Sequence, residues 1–194
     1  MGMNVLRWLG VGLLLLLAGG CATAPKVAPI DPTPEVHSAS MGQSVPVALS
    51  VVDERPQESL GEYQDAFGRQ MPVRLGDNLV AAIREKTGEA LATLGFVPVH
   101  DGEGFDRRLR IEVLRLDYQA AQGVVSGELM VWAELRGVVT NGDTTYSVRY
   151  KMLKKKNGLF NAGSSESLLL VNQTLTTVLE SLLQDQRLVY ILSQ

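Results

Sequence analysis

The chain has 194 residues, with 18 basic and 21 acidic side chains, a formal charge of −3 and 45% hydrophobic residues. An acidic balance argues against nucleic-acid binding, and this apolar content against a disordered polyelectrolyte; the length suits one domain once any leader is set aside. One cysteine excludes an internal disulfide.

The first 21 residues carry Arg7, an apolar run over 9–18, and Leu17-Ala18-Gly19-Gly20 leading into Cys21. That layout is a bacterial lipoprotein signal: a charged start, an apolar stretch too short to span a ~30 Å hydrocarbon core, and small residues before the cut. The Cys21 thiolate supplies the nucleophile for a thioether to lipid. An ordinary signal peptide with a chance cysteine, or an uncleaved anchor, is the blander reading. Cleavage would remove one basic residue, Arg7, and no acidic one, leaving a more acidic mature chain. Ala22 rather than Asp follows the cysteine, which in the lipoproteins this chain resembles favours the outer membrane. The expected organisation is a signal peptide over 1–20, a lipidated Cys21 with a proline-rich tether over 21–44, and one globular domain over 45–194.

Four of the eight prolines (Pro25, Pro29, Pro32, Pro34) fall in the stretch 22–44, with no helix or strand period. It reads as an unfolded leash, with a reach of at most about 70 Å at ~3.1 Å per residue. His37 within it reads as solvated.

Residues 46–52 (PVALSVV) are apolar at every phase of a two-residue alternation, the mark of a central strand, and Asp53-Glu54-Arg55-Pro56 ends it. The polar, Gly-punctuated connection to Gly76 is either a binding loop or a small irregular hairpin. Asp77 is the expected cap of a helix with Leu79, Ile83, Ala90, Leu91 and Leu94 on one side, stopped by Gly95. A short strand over 96–99 completes a β-α-β unit, so its two strands are expected to be parallel. In 107–118 (RRLRIEVLRLDY), Leu109, Ile111 and Val113 share one phase and Leu114, Leu116 and Tyr118 the other. This predicts a β-bulge near Val113, or else a strand covered on both faces at that end.

Asn141-Gly142 between alternating runs at 128–141 and 143–154 predicts a hairpin. With those two residues as the turn, Thr140 opposes Asp143, and counting back sets Leu135 opposite Val148, Ala133 opposite Tyr150 and Val131 opposite Met152, three pairs on one apolar face. Glu134 then opposes Arg149 as an ion pair, and Trp132 opposes Lys151 as a cation-π pair. Ser164 or Ser165 caps a last long helix with a stripe of Leu168, Val171, Leu175, Val178, Leu179 and Leu182. The tail 187–192 is a short helix or a strand. Together these predict an α+β two-layer sandwich, a mixed, mostly antiparallel sheet with two helices on one face (β-α-β-β-β-α).

No catalytic constellation emerges, so the chain is not expected to be an enzyme. Gly123-Val124-Val125-Ser126-Gly127 lacks nucleophile-elbow spacing and precedes a strand. His37 and His100 have no second ligand at metal spacing, and neither metal nor cofactor is expected. Asp101, Glu103 and Asp106 lack the length of a calcium loop and read as a solvated turn. Asn172-Gln173-Thr174 is a glycosylation triplet inside a helix and is discounted. The carboxylates Asp53, Glu54, Asp101, Glu103 and Asp106 are the only candidates for a hydrolase. Lys151, Lys154, Lys155 and Lys156, near Arg149, are the one concentrated charge: a surface for anionic lipid, lipopolysaccharide phosphates or peptidoglycan carboxylates, or lysines guarding a strand end against edge pairing.

The signal, the proline-rich tether, the D-x-R strand end (Asp53, Arg55), Leu94-Gly95-Phe96, LRIEVLRLDY over 109–118 and a closing helix ending near Asp185 resemble the YajG-type lipoproteins. These are small outer-membrane lipoproteins of Gram-negative bacteria without an established biochemical function. The resemblance implies a lipid-anchored protein on the periplasmic face of the outer membrane; only Cys21 carries over as a functional residue. The layout is also similar to that of the lipoprotein that plugs the lipopolysaccharide-exporting barrel. The expected function is a non-enzymatic envelope binding module, the alternative being an accessory to outer-membrane assembly or lipopolysaccharide transport. Its expected partners are the membrane, through the lipid, and an envelope protein or peptidoglycan.

Overall fold

The computed structural model describes residues 27–37, 41–64, 70–76, 78–100, 104–122, 127–158 and 165–194. Strand β1 (Val27–Ala28) is followed by β2 (Pro46–Asp53), β3 (Ser59–Gln64), β4 (Gln70–Leu75), helix α1 (Leu79–Thr93), β5 (Val97–His100), β6 (Arg107–Gln122), β7 (Gly127–Asn141), β8 (Thr144–Gly158), α2 (Ser165–Leu183) and α3 (Gln186–Ser193). Among the described residues the fold is a mixed α+β arrangement of one curled sheet and three helices. It has more elements than the expected β-α-β-β-β-α. β3 and β4 pair antiparallel, the hairpin alternative, and send Leu60 and Val73 into the core, and the tail is helical.

The sheet is organised by β6. Along one edge it pairs antiparallel with β7 over its whole length. Its other edge is shared: β2 runs parallel to Arg108 through Val113, and β3 runs parallel at Tyr118 and Gln119. Between these two partners the register slips at Leu114, the predicted bulge. The slip is what keeps both halves of the strand in one core: Leu109, Ile111 and Val113 before it and Leu116 and Tyr118 after it are all buried. Gly61 sits where β3 joins β6. A Cβ there would stand 2.1 Å from the Tyr118 carbonyl oxygen, so only glycine lets the strands meet.

The β-α-β expectation holds. β2 lies parallel between β5 and β6, and α1 packs on β2 and β5 through Leu79, Ile83, Ala90 and Leu91. Gly95 (φ +90) ends α1, with Phe96 N–H donating to the Leu91 carbonyl and Gly95 N–H to that of Ala92. Those two bonds are a Schellman stop. Asp77 lies outside the described residues. The cap position is Asn78, whose side chain makes no capping bond and donates instead to the Ile30 carbonyl (3.0 Å).

The β7/β8 hairpin forms, but two residues out of the expected register. Its turn residues are Gly142 and Asp143, with Asn141 opposite Thr144. Gly142 alone of the two has positive φ (+54), which fits the turn family that puts glycine first, while Asn141 stays in the strand and donates its side-chain amide to the Ile191 carbonyl (2.9 Å). Leu135 therefore faces Tyr150 and Ala133 faces Met152. An even slip keeps every side chain on its expected face. It does change partners: Lys151 is opposite Glu134, Arg149 reaches Glu134 diagonally (3.2 Å), and Trp132 takes its cation from Arg115, 4.9 Å from the ring centre, not from Lys151.

Helix α2 lays Val171, Leu175, Val178, Leu179 and Leu182 on β7 and β8, with Leu182 over the space left by Gly137. Burying each such side chain is worth about 1.5–3 kcal/mol. Asp185 caps α3 by accepting from Leu188 N–H (2.8 Å) and also accepts from Tyr150 (2.8 Å), tying the last helix to β8. The hydrogen bond to Asp185 is the main cause that pushes the Tyr150 hydroxyl up to about 12, with burial and the Asp185 charge adding to it.

The proline-rich stretch departs most from expectation. Over its described part it is no free leash: Ile30 is in the core, Val36 packs against it, and the chain runs extended along α2. Asp31 N–H donates to Asn172 Oδ1 (2.9 Å), Thr33 N–H to Thr176 Oγ1 (2.9 Å) and Glu35 N–H to Glu180 Oε1 (3.0 Å). Asn172 Nδ2 and Gln184 Nε2 return bonds to the carbonyls of Pro29 and Glu35. The periods match. Two extended residues advance roughly 6.2–6.8 Å and four helical residues about 6.0 Å, so every second N–H meets every fourth helix side chain. The positions between the donors are Pro32 and Pro34, which have no N–H to leave unpaired.

Two outcomes follow from these contacts. Asn172→Ala combined with Thr176→Ala should lower stability by about 1–3 kcal/mol and expose the peptide bonds at 29–36 to protease at concentrations that leave the parent intact. Because the Tyr150 hydroxyl is raised in the folded state, its contribution should be fully present below pH ~10 and lost as pH rises toward 12. Absorbance titration of Asp185→Asn should show this tyrosine ionising close to the ordinary value.

Candidate binding face

α1 packs on β2 and β5, and α2 and α3 pack on β7 and β8. The alternation that buries Val131, Ala133 and Leu135 turns Trp132, Glu134 and Arg136 to the other side, where β6 contributes Arg110, Glu112, Arg115 and Asp117 and β8 contributes Arg149 and Lys151. This outer face is a lattice of guanidinium and carboxylate groups. Glu112, only 5% exposed, accepts from Arg110 Nε (2.9 Å) and from Arg136, and Arg110 also reaches Glu54 (3.2 Å). Two cations on one desolvated carboxylate satisfy a charge that would otherwise be costly to bury.

Below this cluster, at the Leu114 bulge, the face opens into a cavity of about 520 Å³. The start of the 53–76 segment forms one wall (Arg55, Pro56, Gln57, Ser59), and Arg115, Asp117, Glu134 and Arg149 form another. Arg55 is held by Asp53 through two parallel bonds, Nε to Oδ1 (2.8 Å) and Nη2 to Oδ2 (2.7 Å), and its side chain is 5% exposed. Burial raises the Asp53 carboxyl, but the hydrogen bonds and charge of Arg55 together outweigh it and hold the group below the usual carboxylate range. The Arg55 Nη1 nitrogen is buried and has no hydrogen-bond partner among the described residues. Arg115 makes the same paired contact with Asp117 (2.7 and 2.9 Å) while stacking over Trp132. Glu134 is shared by Arg149 (3.2 Å) and Lys151 (3.4 Å).

The lysine run does not act as one patch. Lys151 and Lys155 lie on the outer face, with Lys155 on Glu128 (3.4 Å); Lys154 and Lys156 stand opposite the buried Val131 and Leu129, and Lys156 reaches Glu166 (3.8 Å). Among the described residues β8 pairs only with β7, so these lysines also line a sheet edge. Of the carboxylate candidates, Asp53 and Glu54 are engaged by arginines. Asp101, Glu103, residues 123–126 and Cys21 lie outside the described residues, and Asp106 is exposed. Asn172 of the discounted triplet spends its side chain on the strap. A second, mostly apolar cavity of about 510 Å³ lies between the end of the strap and the helix ends, lined by Val36, His37, Met41, Leu94, Leu183 and Tyr190 among others. Among the described residues no cluster of His, Cys, Asp and Glu suits a metal, and no helix is long and apolar enough to cross a membrane. Sequence reading missed the arginine cavity because its walls come from three separated segments. The D-x-R pair and the bulge were its visible traces.

A family model described as an uncharacterized lipoprotein matches residues 32–192. The chain belongs to this family, the YajG-type lipoproteins. No curated protein matches its sequence. Among solved structures it is similar to a Xanthomonas campestris protein of family DUF330, at TM-score 0.56 and 12% identity, covering 87% of this chain and 96% of that one. A second, uncharacterized protein gives TM-score 0.52 and 12% identity, covering 84% and 99%. A lipoprotein of Neisseria meningitidis aligns at TM-score 0.35 and 13% identity over 70% and 97%, too distant to bear on the fold.

Glu112→Ala should cost about 1–3 kcal/mol, because it leaves Arg110 and Arg136 facing one another without their shared carboxylate. The urea midpoint should fall with an unchanged slope, and adding Arg136→Leu should recover part of the loss.

Proposed function

We propose that this lipoprotein is a non-enzymatic module of the Gram-negative outer membrane, anchored through Cys21 to the periplasmic leaflet and presenting its outer sheet face to an envelope protein or to peptidoglycan. One observation carries the reading: a sole cysteine directly after a signal-like segment, in a chain of a lipoprotein family. The arginine-rich face supports it further, being laid out as recognition surfaces are, with planar donors held by neighbouring carboxylates. We read the curled sheet, with its helices gathered against one face, as the two-layer sandwich expected from sequence.

The docked strap shortens the expected leash. Val27 is already paired with β4, and the six residue steps from Cys21 to Val27 extend over at most about 20 Å, well below the ~70 Å of a tether reaching to Ser44. A domain so held works close to the bilayer surface. Cys21→Ser should shift the protein from the outer-membrane fraction to the soluble periplasm. Continued sedimentation with outer membrane would refute the anchor. Cross-linking in cells should recover an envelope protein or glycan from the parent.

A further inference from the structure

We infer that the cavity at the Leu114 bulge is a binding site for one oxyanion group, a carboxylate or phosphate, borne by a small organic ligand. The inference rests on reading the outer face as the binding surface and gives that face its ligand chemistry.

Charge and shape carry it together. The cavity walls hold three guanidinium groups, Arg55, Arg115 and Arg149, against two carboxylates, Asp117 and Glu134. Asp53 is consumed by Arg55, and Glu134 is divided between Arg149 and a further cation, Lys151. Arg149 also stands directly opposite Arg136. One positive charge is thus left uncompensated at the cavity in a chain whose formal charge is −3. The donors are already fixed: Arg55 by its fork on Asp53, with Nη1 still unpaired among the described residues, and Arg115 by Asp117 and the Trp132 ring. Fixed guanidinium donors are the usual means of recognising planar carboxylate or phosphate. Pro56 and Leu114 supply an apolar wall, so an organic anion gains contact that a bare ion lacks. About 520 Å³ lies in the range of small-molecule sites, and a recess suits such a ligand better than a flat membrane surface would.

Trp132 reports on the site through its contact with Arg115, and Trp8 is the only other tryptophan. The full chain carrying Trp8→Phe, in detergent micelles, should be titrated with inorganic phosphate, acetate and butyrate at constant ionic strength, following tryptophan fluorescence. A saturable change is expected, with butyrate acting at several-fold lower concentration than acetate; whether phosphate or the carboxylates saturate first tells which oxyanion the site prefers. Arg149→Gln should weaken it at least tenfold and Arg55→Gln likewise, whereas Lys155→Gln, on the same face but paired with Glu128, should not. Arg149 is half exposed, so its variant tests the site even where Arg55→Gln fails to fold. A response linear in every anion, or equal midpoints in the parent and Arg149→Gln, overturns the inference and leaves Arg55 Nη1 to bound water. The readout is independent of lipid attachment, so neither result depends on Cys21→Ser.

Discussion

The structure depends on one extra residue in one strand. β6 meets β2 at one end and β3 at the other along the same edge, and Leu114 is inserted where the first partner gives way to the second. Without it, Leu116 and Tyr118 would point to the outer face and the β3/β4 hairpin would lose the buried strand it leans on. With it, the core runs unbroken from Val47 to Met152 across the sheet. The bulged Leu114 also lines the arginine cavity, beside Arg115 and the start of the 53–76 segment. Fold and candidate site therefore meet at one residue.

The outer face shows how such a sheet stays exposed on one side. Arg110, Arg115, Arg136 and Arg149 are each paired with a carboxylate on their own or the adjacent strand, which holds their guanidinium groups against the sheet. The exposed pair of Arg115 with Asp117 adds little stability. The value of the pairs lies in position: they keep the planar donors at the bulge ordered before any ligand arrives.

Much of this was legible in the sequence because period and turn chemistry act locally. The change of phase between Val113 and Leu114 announced the bulge, and Gly95 announced the helix stop. The hairpin faces were legible, but its partners were not: Asn-Gly satisfies two turn registers two residues apart, and the one adopted goes with a distant contact, Asn141 to the Ile191 carbonyl. Asp77 suggested a cap, while Asn78, at the cap position, spends its amide on Ile30, again far away in sequence. The cavity was illegible for the same reason. Its walls come from residues near 55, 115 and 149, brought together only by β6 and its neighbours.

The strap is the most instructive departure, since its composition was read correctly and its consequence was not. Prolines at alternate positions do exclude helix and central strand, but they also restrict the unfolded chain, so that docking it costs less conformational entropy than docking an ordinary segment. They remove the very N–H groups that would face away from α2 and remain unbonded, leaving donors only at 31, 33 and 35. The receiving side chains, Asn172, Thr176 and Glu180, fall on the polar side of α2, where a solvent-facing row of short polar residues is unremarkable by itself. A proline-alternating segment and a polar row at fourfold spacing become informative only as a pair: one repeats at the rise of the other.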